Sequence, residues 1–347
     1  MFTTEPTSEE RSLLVRVSRM YYEQELTQDE IARATRLSRP TISRLLERAR
    51  CVGIVEIRVR DTAGDTESLT AALVERYGLR QAILAAPISP GEDPRPRVGH
   101  LVAEHVQGLL QDGMTLGVSW GKTLREMLLA LKPARLAQLT VVQMMGGLAA
   151  VEDSLDTTGL AQEVGRVLGS RTVRFLAPAL IDSPGVRRRV LSTPEVQQAM
   201  GYLGRLDAAV VGIGAVSPHV PLVERGYFPA DAMAKYRAQG ARGEMLLQFF
   251  DGGGRPLLGL NRRVVGMTLQ DLARVPLVVA GVTGPPDKSE AVLAALRGRL
   301  VHVLITDFET AHRVLERDEA EAAPRGRIPA RGGARSRARA IAGRRPI

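Results

Sequence analysis

The chain has 347 residues, 44% of them hydrophobic and 24% charged, with one cysteine and a formal net charge of +9. The length suggests about two domains, and the composition is that of an ordinary globular protein. No run of about eighteen apolar residues is present, which excludes a helical membrane span.

Cys51 alone cannot form an internal disulfide, and a reducing cytoplasm suits it. The first residues, MFTTEPTSEE, are acidic and polar, unlike a secretory signal. Five scattered histidines give no zinc-binding spacing, so no metal is expected. From Pro324 onward there are eight arginines and no acid, so 9 − 8 = +1 remains for the rest. Residues 318–347 are read as a basic disordered tail with too few large apolar side chains to offset ordering entropy. Such a tail either attracts nucleic acid non-specifically or is simply solvated.

Residues 1–60 are read as a DNA-binding domain. Ser12 to Gln24 reads as a supporting helix. Thr27 can cap a helix starting at Gln28, with Glu30 placed for a capping box. This helix ends near Thr35, and Arg36 stands where a turn often has glycine. Ser38 can cap a second helix, in which Pro40 is tolerated because it falls in the first turn. Ile42, Leu45 and Leu46 form its apolar stripe. The offsets are those of a helix-turn-helix whose second helix reads duplex DNA. Thr27, Gln28, Ser38, Arg39, Thr41, Ser43, Arg44 and Arg48 are the candidate DNA-binding residues, matching phosphates and base edges. The alternating stretch IVEIRVR, 54–60, suits the β-wing of a winged helix. Cys51 is expected in the core.

From 61 to 317 apolar strands alternate with amphipathic helices. QAILAA, MTLGVS, TVVQMMG, AAVVGIG, PLVVAG and VHVLIT read as strands. VGHLVAEHVQGLL, TLREMLLAL and FETAHRVLE read as helices. The fold class is α/β, a mostly parallel sheet covered on both faces. GEMLLQFFDGGG, 243–254, is expected to add one strand and a turn.

In such a sheet, ligands bind beyond the carboxyl ends of strands. GVSWGKT, 117–123, ends like a phosphate-binding P-loop, but only three residues separate its glycines where four are needed. A loop joining a strand to a helix N-terminus still favours an anion, one phosphate rather than a nucleotide. Ser119, Trp120, Gly121, Lys122 and Thr123 are therefore candidate ligand residues. Gly146, Gly147, Gly214, Lys288 and Asp307 join them at other strand ends. Asp307 reads equally well as a helix cap. No compact acidic pair is legible near the predicted pocket, which argues against an enzyme; no catalytic residue and no cofactor are assigned.

These residues together resemble the SorC family of sugar-responsive bacterial transcription regulators. The likeness runs from about Leu13 to Leu315. LTQDEIARATRLSRPTISRLLERAR, LGVSWGKTL, LDAAVVGIGAV, GEMLLQFFDGGG and AALRGRLVHVLITDFETA carry it. The resemblance implies a winged helix-turn-helix followed by an effector domain related in fold to sugar-phosphate isomerases. It also implies a homo-oligomer, dimer or tetramer, that binds operator DNA under control of a sugar, polyol or sugar phosphate. Met145 departs from members that place an arginine before the glycine pair. The alternative is an isomerase-like enzyme fused to a DNA-binding module.

Overall fold

The computed structural model describes residues 7–24, 26–55, 62–89, 91–148, 157–224, 226–229 and 231–322. The chain divides into two units, Met1–Asp61 and Thr62–Ile347.

The first unit holds three helices, α1 (Ser8–Tyr22), α2 (Gln28–Thr35) and α3 (Arg39–Cys51). Each starts on a hydroxyl cap: Thr7, Thr27 and Ser38 accept from backbone N–H groups of the first turn. These groups would otherwise lack partners. At α2 the Thr27–Glu30 capping box is complete in both directions. Arg36 closes α2 in the left-handed conformation at φ 57°, so the turn keeps its shape without glycine at a modest steric cost. Val17, Ile31, Ile42 and Leu46 form the small core between the helices. Two expectations change here. Cys51 is exposed at the end of α3, not in the core. Ile54 and Val55 do not begin a strand: both amides donate to the Ala49 carbonyl. Residues 56–60, the rest of the expected wing, lie outside the described residues.

The second unit begins with α4 (Thr62–Tyr77), β1 (Gln81–Ala85), α5 (Arg95–Leu109), β2 (Thr115–Val118), α6 (Lys122–Ala130) and β3 (Thr140–Gln143). Then come α7 (Thr157–Val167), β4 (Arg171–Val173), α8 (Pro184–Leu191), α9 (Pro194–Leu203), β5 (Ala208–Val211), β6 (Gly214–Ala215), α10 (Pro221–Glu224) and α11 (Ala232–Ala238). It ends with β7 (Gly243–Met245), β8 (Gln248–Phe250), α12 (Leu258–Asn261), α13 (Leu269–Leu272), β9 (Leu277–Gly281), α14 (Lys288–Arg297), β10 (Val303–Asp307) and α15 (Phe308–Ala322).

Seven strands form one sheet in the order β1-β10-β9-β5-β2-β3-β4, and every pairing in it is parallel. Along β5 the side chains alternate between two hydrophobic clusters. Ala209 and Val211 enter one, and Ala208 and Val210 the other. A strand buried on both faces needs a continuous apolar run, which is what AAVV supplies. β2 leads outward to β3 and β4, whereas β5 is followed by β9 and β10 on the opposite side. The strand order therefore reverses between β2 and β5, and a crevice opens beyond their carboxyl ends.

The 243–254 segment is a hairpin rather than one strand. β7 and β8 pair antiparallel and join β6 in a second, three-stranded sheet. Its two-residue turn, Leu246 and Leu247, has φ of 57° and 61°. A tight hairpin needs such values, yet leucine adopts them only against its intrinsic preference. Both side chains are buried, so packing holds the turn.

The last helix also corrects the sequence boundary at 317, since α15 continues to Ala322. Residues 323–347 of the expected tail lie outside the described residues. Asp318 belongs to the body. Its carboxylate accepts from the Tyr77 hydroxyl at 2.9 Å and pairs with Arg76 at 2.5 Å and with Arg297. It thereby ties α4 and α14 to α15. Among the described residues no helix is long and apolar enough to cross a membrane. Replacing Asp318 with Ala removes the acceptor from a buried three-donor cluster and should destabilise the second unit by roughly 3 kcal/mol. Urea unfolding of full-length protein checks this, and an unchanged midpoint would refute the placement of Asp318 in the core.

Candidate nucleic-acid interface and ligand cavity

In the first unit, α3 presents Arg39, Ser43 and Arg44 as exposed residues. Arg44 and Ser43 form no ion pair or hydrogen bond through their side chains among the described residues. Arg39 lies 3.8 Å from Asp29, with both side chains about two-thirds exposed, a weak contact that DNA can replace. Gln28 is half-buried at the start of α2. The remaining four predicted contacts have internal duties. Thr27 is joined to Glu30, and the Ser38 and Thr41 hydroxyls share a 2.7 Å hydrogen bond. Arg48 is partly buried and pairs with Glu10 of α1 at 3.1 Å, so it braces the bundle rather than facing outward.

In the second unit, a cavity of about 630 Å³ opens at the β2/β5 switch point. That size suits a small molecule. Its wall is the loop after β2: Ser119, Trp120, Gly121, Lys122 and Thr123 all line it. α6 starts at Lys122, and its N-cap, Gly121, supplies no side-chain hydrogen bond. The first-turn amides of α6 are therefore left for a ligand. Ser119 and Thr123 are only 2% and 5% exposed, and their hydroxyls make no hydrogen bond within the described protein. Trp120 lines the cavity and packs on the core below it.

The structure brings Gly214 and Lys288 to the same cavity. Lys288 opens α14, and its N-cap Asp287 makes no side-chain capping bond. One Asp287 oxygen, Oδ1, is buried without a partner. Burial, more than any neighbour, pulls the Lys288 ammonium below the usual lysine range, against the attraction of Glu244.

Three predicted residues do not line the cavity. Gly146 and Gly147 follow β3, one strand away. Gly147 forms a bridge with Pro178, and Gly146 donates to the Val265 carbonyl at 2.9 Å. A Cβ on Gly146 would sit 2.5 Å from the Pro178 backbone, so close approach of two chain segments, not ligand contact, requires glycine there. Asp307 is the N-cap of α15. It accepts from the Thr310 amide at 2.8 Å and from the Thr310 hydroxyl. Its second role is to accept from the hydroxyl of Thr283, a cavity residue. Asp307 thus acts from beneath the wall.

The acids that sequence reading did not find are Glu244, Asp287, Asp93 and Glu126, all of which line the cavity. Glu244 is 8% exposed, and its Oε2 accepts from the Leu247 amide at 3.0 Å across the strained hairpin turn. Burial raises its carboxyl to about 7, although the Leu247 amide and Lys288 both oppose the shift. The available signal was one acid inside the otherwise apolar strand GEMLLQFF. Among the described residues, no three His, Cys, Asp or Glu side chains gather as a metal-binding group.

Residues 61–316 match the family model described as "Putative sugar-binding domain". Over 313 residues the chain is 32% identical to the transcriptional regulator LsrR of Klebsiella pneumoniae subsp. pneumoniae, covering 88% of this chain and 93% of the relative. It is 28% identical over 309 residues to the deoxyribonucleoside regulator of Bacillus subtilis, with 88% and 98% covered. The full-length sorbitol operon regulator SorC of Klebsiella pneumoniae superposes with a TM-score of 0.67 at 28% identity, over 89% of this chain and all of that one. A capped three-helix unit and a cavity in a domain that matches a sugar-binding family are the parts of a metabolite-responsive transcriptional regulator. The chain belongs to the SorC family of sugar-binding transcriptional regulators.

Glu244 gives a pH signature. Its folded carboxyl lies near 7 against an ordinary 4.5, so the folded state holds the proton more tightly. Its protonated form contributes stability that is complete below about 4.5 and is lost as pH rises through about 7. Glu244→Gln should therefore be more stable than wild type at pH 8, by on the order of 3 kcal/mol at most, with the difference vanishing toward pH 4.5. Paired melting curves from pH 4.5 to 8 test this; parallel curves would show that the carboxyl is not buried.

Proposed function

We propose that this regulator binds operator DNA through the N-terminal end of α3 and senses a small polyhydroxylated anion, a sugar phosphate, in the switch-point cavity. One observation carries the ligand class. An uncapped helix N-terminus, two nearly buried hydroxyls without partners and the Lys122 ammonium meet on one wall. A neutral sugar or polyol would leave that positive wall unanswered, whereas a phosphate satisfies amides, hydroxyls and cation together. The half-buried Lys288 and the Glu244 and Asp287 carboxyls would then meet the hydroxyl groups of the sugar. Gln28, Arg39, Ser43 and Arg44 are the DNA contacts this reading keeps, with Thr27, Ser38 and Thr41 shaping the helix ends.

A homo-oligomer acting in the cytoplasm completes the proposal. Two copies of α3 related by two-fold symmetry would match two operator half-sites. The ligand would regulate by binding two quaternary arrangements with different affinity. An isomerase activity has one observation in its favour, a Glu244 carboxyl poised near neutrality, as general bases are. Assay of sugar phosphates with purified protein is expected to show no turnover.

Arg44→Ala should weaken operator binding about tenfold or more without changing the melting temperature. Arg48→Ala should instead lower stability by about 1 kcal/mol through loss of the Glu10 contact. Fluorescence anisotropy with operator DNA and thermal unfolding separate the two; an Arg44→Ala variant that binds operator as tightly as wild type would remove the exposed face of α3 as the reading surface. For the cavity, calorimetry with sorbitol 6-phosphate, ribose 5-phosphate and deoxyribose 5-phosphate, each beside its unphosphorylated parent, tests the anion preference. At least one phosphate should bind, and Lys122→Ala should weaken it about tenfold. Equal binding of the parent polyol or sugar would contradict the phosphate assignment.

A further inference from the structure

Besides Lys122 and Lys288, two arginines line the cavity, Arg95 and Arg125, and the preceding reading leaves the role of Arg95 open. Arg95 is the first residue of α5, and both it and Asp93 line the cavity beside Lys122. Their contact is unusually complete for neighbours in a loop. Arg95 Nε donates to Asp93 Oδ1 at 2.8 Å, Nη2 lies 2.7 Å from Oδ2, and the Arg95 amide donates to Oδ1 at 3.0 Å. The carboxylate thus occupies both the guanidinium fork and a helix N-terminal amide, the two donors a phosphate or carboxylate ligand would use.

Helix placement strengthens the point. α5, α6 and α14 each begin at the cavity, and none of their N-caps, Pro94, Gly121 and Asp287, supplies a side-chain hydrogen bond. Each has a cation as its first residue: Arg95, Lys122 and Lys288. A cation at a helix N-terminus opposes the helix dipole, and three at one cavity oppose each other. Lys288 in fact feels both Lys122 and Arg95. In α5 and α6 the approach is close because Gly99 lets the helices touch, where a Cβ would lie 2.6 Å from the Glu126 backbone. Ser119 and Thr123, nearly buried and without internal partners, independently mark the space between the helix ends as a ligand position. Glu126, Glu244 and Asp287 also line the cavity and Glu126 acts on Arg95, but Asp93 is the anion in hydrogen-bond contact with the Arg95 guanidinium and amide, where a ligand anion would sit. Arg95 holds it well below the usual carboxylate range, and Lys122 adds to the effect.

We propose that Arg95 is a specificity-determining residue of the effector cavity and that Asp93 is its built-in counter-ion, displaced when an anionic group of the effector binds. The proposal rests on the sugar-phosphate reading above and adds how the cavity discriminates. In the unliganded protein, Asp93 neutralises Arg95. A phosphorylated ligand takes over the guanidinium fork and the α5 amide, and Asp93 turns to solvent. The exchange is easy because the Asp93 and Arg95 side chains are 46% and 39% exposed, and ion pairs so open are weak. A neutral polyol cannot displace a carboxylate from a guanidinium, so it gains nothing from Arg95. Asp93 therefore competes with every anion that must displace it and leaves uncharged ligands unaffected, while Arg95 rewards only the anions that succeed.

The two residues predict opposite signs, which a merely structural loop contact would not give. Full-length wild type, Arg95→Gln, Arg95→Lys, Asp93→Asn and Lys122→Ala are titrated calorimetrically with inorganic phosphate and with sorbitol 6-phosphate, and sorbitol serves as the uncharged probe. Arg95→Gln should weaken both anions about tenfold, and Arg95→Lys should recover part of the loss. Asp93→Asn should tighten both by about two- to fivefold. Sorbitol binding should be indifferent to all changes at 93 and 95. If Lys122→Ala loses the anions while the variants at 93 and 95 match wild type, the counter-ion role is wrong and the sugar-phosphate reading stands. If Asp93→Asn weakens binding, Asp93 orders the loop rather than competing, and the proposal falls. If wild type binds neither of these anions nor either pentose phosphate, both readings fall together.

Discussion

The reversal of strand order between β2 and β5 is the constraint on which the cavity depends. Strands of a parallel sheet all point one way, so the helices that follow them start at one edge. Where the order reverses, neighbouring strands send their chains to opposite sides, and nothing fills the gap. Here the gap gathers the loop after β2, the end of β5 and the start of α14, and α5 reaches it from the side. Each approaching helix brings partial positive charge at its start, and α6 also brings first-turn amides that no capping side chain satisfies. The chemistry of the cavity is thus largely a consequence of topology, and Lys122, Lys288 and Arg95 amplify it.

That arrangement is costly for the folded protein, and the costs collect in one place. Glu244 is buried beyond ion-pair distance of any cation among the described residues. The Leu246–Leu247 turn is held in a conformation leucine avoids, and one Asp287 oxygen has no partner. Each is a feature that packing elsewhere must outweigh. The strain is concentrated on β7–β8 and the α14 entrance, where Glu244 and Lys288 both line the cavity. A ligand that satisfies these groups stabilises the state it binds, which is how small-molecule binding acquires energy to shift a regulator between states.

The first unit is built on the contrary principle. Among its described residues the buried apolar side chains are few, Val17, Ile31, Ile42 and Leu46 with Leu14 and Ala49, so helix ends must contribute much of its order. Thr7, Thr27 and Ser38 do this, and Arg48 and Glu10 join α1 to α3. Polar residues of α2 and α3 therefore divide into those that hold the helices and those left free, and internal hydrogen bonds and ion pairs, not burial, separate them.

Local rules made much of the molecule legible in the sequence. Caps at Thr27 and Ser38, the apolar stripe of α3 and the alternation of apolar strands with amphipathic helices depend on neighbours a few residues apart. The phosphate-like loop at 119–123 was legible for the same reason, since a strand, a polar turn and a helix start are consecutive. Tertiary structure alone decided which strand ends share the cavity. Gly146 and Gly147 had the same local character as Gly214, but β3 lies one strand beyond the reversal, and strand order is not written in local spacing. Glu244, Asp93 and Arg95 were hidden because the cavity that gives them meaning is assembled from segments far apart in sequence, although Asp93 and Arg95 are themselves close neighbours. The role of Asp318 was hidden likewise, in residues whose composition resembled a tail. Local sequence determines which amides and charges a segment carries, whereas only the packing of distant segments decides which of them find partners and which remain for a ligand.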